Sequence, residues 1–448
     1  MKVDDFLKAA REKISDDPLS RVGTITGMAI ENPNCIFDIH SHIFDRRCLT
    51  VLYIALRMAR NTIGELLGLE ADDDLSNRID LLKETDQSLY KKIAERLPET
   101  DEDWEKLEKE IDAIQELEKY ELFGFKWKDL KRAIQVLKQD SMTSVLDLYL
   151  ENYALNKLDR FKDKPIVVGV LMMDLEIGWG IKPKKKLIEQ IIELKQLAKS
   201  KPVLPFLAVD PRRADLTDES ENLYSLFLKA FTEVDVPFFG VKCYPSLGYF
   251  PSDKRLDPIF QICEEKNIPI TTHCGGTIVS TYEKMIQIQD SNGLGDYKIP
   301  GDSRKERATF LNDPMHWEPV LNKHKKLKLN LAHFGGDSNW EDYSNNRSNQ
   351  TINAIISMLS KKLSDQYQYV YTDFSFNVVE ENLFDALIGA MDTKNDIAPK
   401  VMFGTDFWVV LPTGDLFKKQ SKFLDIMDNH VEKMIKTNPR NFLFKKTY

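Results

Sequence analysis

The segment Asp38-Ile39-His40-Ser41-His42 puts two imidazoles two residues apart at the end of a short apolar run, CIFDIHSH. On an extended strand alternate side chains share a face, so His40 and His42 point the same way and can grip one ion. Asp38 falls on that side one step deeper, where a carboxylate can orient a ligand histidine. Alone, an HxH pair is weak evidence. It gains weight from where the other ionisable residues stand. His273 closes PITTHCGG, His333 closes LKLNLAHFGG, Asp406 lies in VMFGTDFWVV and Lys242 in FFGVKCYP. The chain has 7 histidines, and His40, His42, His273 and His333 all end such runs. His316, His324 and His430 fall in stretches of helical spacing and receive no role.

Three neutral imidazoles and a carboxylate (His40, His42, His273 and Asp406) suit one divalent metal, Zn2+ first, with a position left open for water. Fe, Co or Mn accept the same donors. Such an ion polarises a substrate oxygen or generates a nucleophile from water near neutrality. His333 is then available as a general acid or base, because an imidazole titrates near pH 6.5. Its alternatives are a further nitrogen ligand or a structural residue. Near the expected rim, Arg46, Arg47, Arg304 and Arg307 are candidates to hold a substrate carboxylate, the plainer reading being surface arginines. Trp408, Trp340 and Tyr244 are pocket-lining or packing aromatics, and Asp373 in YVYTDFSF is a candidate behind the ligands. Cys243 and Cys274 alternate away from Lys242 and His273 and are not expected to ligate.

These residues need a scaffold that gathers strand ends. Eight runs of strand length recur, at 35–42, 165–176, 202–211, 238–245, 269–276, 327–336, 369–376 and 401–410. Several are rich in Val, Ile, Phe and Tyr, as strands covered on both faces should be. Most intervals have helical periodicity; PKKKLIEQIIELKQLAKS places Leu187, Ile191 and Leu194 on one face. Alternation of this kind predicts an α/β fold, either a (β/α)8 TIM barrel or a doubly wound open sheet. Chemistry gathered at one set of strand ends favours the barrel. The interval 43–164 is too long for a simple crossover. It contains IALRMARNTIGELLGL, DEDWEKLEKEIDAIQELEKY and MTSVLDLYLENYALNKL, and is read as a helical insertion after the first strand. The expected division is therefore a barrel from 1–42 and 165–448 with an insertion at 43–164. The insertion's charge-rich part is either a solvated face or a contact for homo-oligomer formation.

Composition excludes several classes. Hydrophobic residues make up 42% of the 448 and charged residues 30%, enough for a large core. The net charge is -9 with both signs interspersed, so the basic stripe that nucleic acid requires is lacking. The segment MKVDDFLKAAREK has no apolar signal core, and no apolar run is long enough to cross a membrane. Five scattered cysteines read as reduced thiols. The expectation is a cytoplasmic protein acting on a small molecule, without nucleic-acid or membrane partners.

The motifs DIHSH, GVKCYPSLGYFP, ITTHCGG, LKLNLAHFGGD and FGTDFW, in this order, resemble the amidohydrolase superfamily, and within it the amidohydrolase-related branch. KMIKTNPRNFLF is similar to that family's final helix. The resemblance implies a TIM barrel with a divalent metal, commonly zinc, at the strand ends. His40 and His42 match its first-strand ligands, His273 the fifth-strand ligand, His333 the sixth-strand histidine and Asp406 the eighth-strand aspartate. That aspartate binds metal, takes a proton from the hydrolytic water, or does both. Lys242 matches a fourth-strand lysine that is carbamylated in binuclear members and bridges two metals; His333 would then be a ligand. In the amidohydrolase-related branch such a lysine is commonly unmodified, which favours one metal. The activity implied is hydrolysis of a C–N or C–O bond in a small molecule. The alternatives are decarboxylation or hydration of a carboxylated substrate, and a barrel without catalysis that serves binding or assembly.

Overall fold

A computed structural model of the chain describes residues 1–48, 135–136, 138–179, 183–232, 236–276, 279–281, 283–346, 348–360, 367–392, 397–411 and 415–447. Most of the expected insertion, residues 49–134, lies outside the described residues, as does KKLSDQ at 361–366. Each apolar run supplies one strand. The first five are β1 (Ile36–Ser41), β2 (Ile166–Leu171), β3 (Val203–Val209), β4 (Gly240–Cys243) and β5 (Ile270–Thr272). Two short strands follow, β6 (Met285–Asp290) and β7 (Gly293–Lys298). The last three are β8 (Leu329–Leu331), β9 (Val370–Asp373) and β10 (Val401–Met402).

Eight of these strands pair in the order β1-β2-β3-β4-β5-β8-β9-β10, every pairing parallel. The two ends of the sheet meet: Asp406 N donates to His40 O (2.8 Å) and His42 N to Phe407 O (2.6 Å). Strands in chain order with joined ends make a (β/α)8 barrel and rule out the doubly wound sheet, which reverses strand order and keeps two edges. Helices cover the outside. Leu187–Ser200 buries Leu187, Ile191 and Leu194, as its spacing predicts. A second apolar layer, including Phe37, Ile39, Val167, Leu204, Phe206 and Met402, packs with Phe442 and Leu443 near the carboxyl terminus.

The helix Met142–Asn152, capped by the Ser141 hydroxyl, which accepts from Ser144 N, is the crossover between β1 and β2. Met142, Val145, Leu146 and Tyr149 bury one face of it. The described end of the interval 43–164 is thus packed into the barrel core. The hairpin β6–β7 was not expected, although Asp290-Ser291-Asn292-Gly293 between alternating residues is a turn signal. Ile286 from this hairpin packs with Phe250, Ile299 and Leu311 as a separate small cluster. Among the described residues no helix is long and apolar enough to cross a membrane.

Candidate metal centre

One backbone irregularity decides how β1 presents its side chains. The register with β2 runs Asp38↔Val168 and then Ser41↔Val170, so β1 carries one extra residue, a bulge. Asp38 and Ser41 therefore share a side, and the Ser41 hydroxyl donates to Asp38 Oδ2 (3.0 Å). Tyr149 OH, on the crossover helix, donates to the same oxygen (2.6 Å). Thr405 adds its N–H (3.0 Å) and hydroxyl (2.6 Å). Asp38 thus clamps β1 to the segment that carries Asp406, and it does not orient a histidine ring as expected. The carboxylate that holds His40 is Asp373, whose Oδ2 lies 3.2 Å from His40 Nδ1.

His40, His42 and Asp406 meet. Asp406 Oδ1 stands 3.5 Å from His40 Nε2 and 3.3 Å from His42 Nε2. These donor atoms are mutually close enough to surround one ion. His42 Nδ1 lies 2.9 Å from the Leu171 carbonyl, to which it donates, so Nε2 is the bare nitrogen. His273 is not part of this closest trio. It stands one imidazole away, its Nδ1 3.1 Å from His333 Nε2, with Tyr244 stacked on its ring at 4.2 Å between centroids. Lys242 Nζ lies 5.6 Å from the centre of the Tyr244 ring. All of these side chains are buried.

The donors fit a cation. His40 Nε2, His273 Nε2 and Asp406 Oδ1 are buried without a hydrogen-bond partner among the described residues. Leaving such groups unmatched costs about 1–3 kcal/mol each, and two of them, His40 Nε2 and Asp406 Oδ1, are buried 3.5 Å apart. Two imidazole lone pairs and a carboxylate oxygen are what a borderline divalent ion takes. Each histidine nitrogen on the far side of the ring is hydrogen-bonded, as metal-binding imidazoles usually are.

Several residues that sequence alone did not single out complete the arrangement. Ser375, two residues beyond Asp373, has its hydroxyl 2.9 Å from His333 Nδ1 and 3.1 Å from His40 Nδ1, and it also contacts Asp373 Oδ1. Asn330 Nδ2 donates to Asp373 Oδ2 (2.6 Å). Period-two spacing from Asp373 was the available signal for Ser375. Nothing in the sequence marks Asn330 or Tyr149.

The rim candidates divide. Arg47 pairs with Asp45 (2.9 Å), which Lys185 also contacts. Arg304 and Arg307 are buried rather than superficial: Arg304 donates to Ser280 Oγ (2.9 Å) and Arg307 to Asp302 O (3.1 Å). Arg46 binds the Gln139 carbonyl through its backbone N–H (3.2 Å). Trp340 is packing, with its indole N–H on Phe334 O (2.8 Å). Trp408 packs partly buried against the main core. All five cysteines are free and buried, and burial pushes the Cys243 and Cys274 thiols up.

Strain gathers at the site. Of six non-glycine residues with positive φ among the described residues, His333 (61°), Phe334 (45°), Phe376 (62°) and Asp406 (57°) belong to the loops after β8, β9 and β10. Such conformations each cost of order 1–3 kcal/mol and mark functional turns. Two glycines permit the close packing. A Cβ on Gly404 would lie 2.5 Å from His40 Cβ, and one on Gly275 (φ 105°) 2.2 Å from Gly335 O.

Burial governs the protonation states. It pushes His40 down to about 3, with the neighbouring Lys242 charge adding to the effect. It holds His273 well below the ordinary imidazole value and lowers His333 as well. Burial also brings Lys242 down to about 8, against the pull of Asp373 and Asp406. For Asp373 and Asp406 burial acts upward, but the surrounding histidines outweigh it and hold both below the usual carboxylate range. Unfolded imidazoles take up protons below about pH 6.5, which the folded ones refuse. Unfolded carboxylates do so below about pH 4, again ahead of the folded ones. In both windows the unfolded state binds more protons, so stability rises with pH and is lost as pH falls. The Tm of chelator-treated protein should therefore decline steadily from pH 7 to pH 4 in scanning calorimetry. A Tm flat between pH 7 and pH 5 would contradict these assignments.

A family model described as "Amidohydrolase" matches residues 202–445. Solved structures similar to the chain include an uncharacterised TIM-barrel protein from Bordetella bronchiseptica (17% identity, 56% of this chain and 71% of that one, TM-score 0.37). Another is a 2,6-dihydroxybenzoate decarboxylase (15% identity, 69% and 89%, TM-score 0.39). A third is a 4-oxalomesaconate hydratase from Rhodopseudomonas palustris (12% identity, 91% and 95%, TM-score 0.39). No curated protein matches in sequence. The family match extends over more than half of the chain, from β3 to the last helix, the stretch that carries His273, His333 and Asp406, and on that basis this protein belongs to the amidohydrolase family.

Proposed function

We propose that the protein is a metal-dependent hydrolase that cleaves a C–N or C–O bond in a small molecule, with one divalent ion, Zn2+, held by His40, His42, His273 and Asp406. The observation that carries this reading is the set of buried, unmatched atoms His40 Nε2, His273 Nε2 and Asp406 Oδ1. A divalent ion bound there supplies Lewis acidity, activating water and stabilising negative charge on a substrate oxygen. The Asp406 carboxylate would take the proton of the attacking water, and His333, bare at Nε2, would relay that same proton to the leaving group. Tyr244, stacked on His273, limits how that ring can turn.

The choice of one ion over two is supported by His333, whose ring nitrogens both have protein partners, Ser375 and His273. Hydrolysis is preferred to decarboxylation because Arg47, Arg304 and Arg307 are each engaged by a protein group, Asp45, Ser280 and the Asp302 carbonyl. Purified protein should carry about one equivalent of transition metal and turn over members of a panel of lactones and amides. Release of CO2 from aromatic carboxylates with no hydrolysis product would replace this reading with a lyase. Two equivalents of metal, lost in Lys242→Ala, would replace it with a binuclear centre bridged by carbamylated Lys242.

A further inference from the structure

Asp373 receives hydrogen bonds that constrain every proton in its neighbourhood. Its Oδ1 accepts from the backbone N–H of His333 (3.1 Å) and of Ser375 (3.1 Å). Its Oδ2 accepts from Asn330 Nδ2 (2.6 Å) and faces His40 Nδ1 (3.2 Å). With N–H groups aimed at both oxygens, this carboxyl group has no room to donate and acts as an acceptor only. The Ser375 hydroxyl touches Oδ1 and owns a single proton, which must go there. Ser375 Oγ is left with lone pairs only. The His333 nitrogen 2.9 Å away, Nδ1, must then carry the hydrogen, or two lone pairs would oppose each other. A neutral His333 protonated at Nδ1 is bare at Nε2, which stands 3.1 Å from His273 Nδ1. By the same argument His273 donates from Nδ1 and is bare at Nε2, the buried atom without a partner.

We propose that Ser375 is a positioning residue that fixes the tautomers of His333 and His273 through a one-way hydrogen-bond chain. The chain runs from His273 to His333 to Ser375 to Asp373, so that His273 presents a bare Nε2 to a divalent cation. The part concerning ligation rests on the metal reading above; the part concerning tautomers does not. The chain explains how two imidazoles in contact avoid the opposite arrangement. If Ser375 donated to His333 instead, His333 would donate to His273, and a neutral His273 would carry its hydrogen at Nε2, where it cannot ligate. The same chain makes Nε2 the basic nitrogen of His333.

With only 7 histidines, selective 15N-histidine labelling resolves the question. In long-range 1H–15N spectra of the metal-free full-length protein, His333 and His273 should both be Nδ1–H tautomers. Ser375→Ala, which leaves only the carbonyl of residue 375, 3.4 Å from His333 Nδ1, should shift His333 toward a mixture, whereas Ser375→Thr, which keeps the hydroxyl, should restore the wild-type pattern. Titration with Zn2+ or Co2+ should show affinity about 10–100-fold weaker in Ser375→Ala, the usual cost of losing a group that orients a ligand, and near wild type in Ser375→Thr. An Nε2–H tautomer at His273 in the wild-type protein overturns the chain whatever the metal does. Unchanged tautomers and affinity in Ser375→Ala overturn the role of Ser375. Expected tautomers in a wild-type protein that binds no divalent ion leave the chain standing and sink the metal reading together with the ligation it was to serve.

Discussion

Asp406→Asn should abolish turnover and strip the protein of metal. Asp406 Oδ1 stands within 3.5 Å of the Nε2 atoms of both His40 and His42, and it is buried without a hydrogen-bond partner among the described residues. Asparagine keeps the shape but presents a neutral oxygen or an N–H to the position a cation would take, and burial removes the water that would compensate. Losing the ion removes several kcal/mol of charge stabilisation. At about 1.4 kcal/mol per tenfold, that is a fall of roughly three to four orders of magnitude in kcat/KM. His40→Ala should do the same for a different reason, because it removes a nitrogen donor and leaves Asp373 without the ring it faces. Metal analysis of the purified variants, together with kcat/KM, reads both effects. An Asp406→Asn protein that kept its full metal content and its turnover would remove Asp406 from the centre.

His333→Ala should separate chemistry from metal binding. His333 is buried against His40 and His273, with ring centroids 4.7 and 4.6 Å apart, yet its own nitrogens are taken by Ser375 and His273. Its removal should cost about 10²–10⁴-fold in kcat, the usual worth of a positioned general acid or base. Metal content should stay near the wild-type value, with affinity weakened only as far as His273 loses the partner that orients it, about tenfold. The pH profile of kcat should also change shape, because the group whose protonation is being read has gone. If the variant loses its metal while the few metal-loaded molecules turn over normally, His333 is a ligand and proton transfer belongs to another group.

The sequence by itself determined the kind of fold and where its chemistry would gather. Eight apolar runs separated by amphipathic stretches are a local property, since strand burial on both faces and helical spacing are written in consecutive residues. For that reason each run holds one barrel strand, and His40, His42, His273, His333 and Asp406 all stand at strand ends. The turn at Asp290–Gly293 is legible in the same local way.

Tertiary structure alone decided which carboxylate serves which histidine. Period-two reasoning puts Asp38 beside His40, but one extra residue in β1 turns Asp38 toward Tyr149 on the crossover helix and leaves His40 to Asp373, 333 residues away. A bulge depends on how two strands pair, and pairing partners do not show in either strand's own pattern. The same holds for the contact of His273 with His333, for Ser375 between His333 and Asp373, and for the burial of Arg304 on Ser280. Residue types and spacing tell which side chains can do chemistry. Which of them touch is set by barrel closure, which joins segments whose order in space no local pattern records.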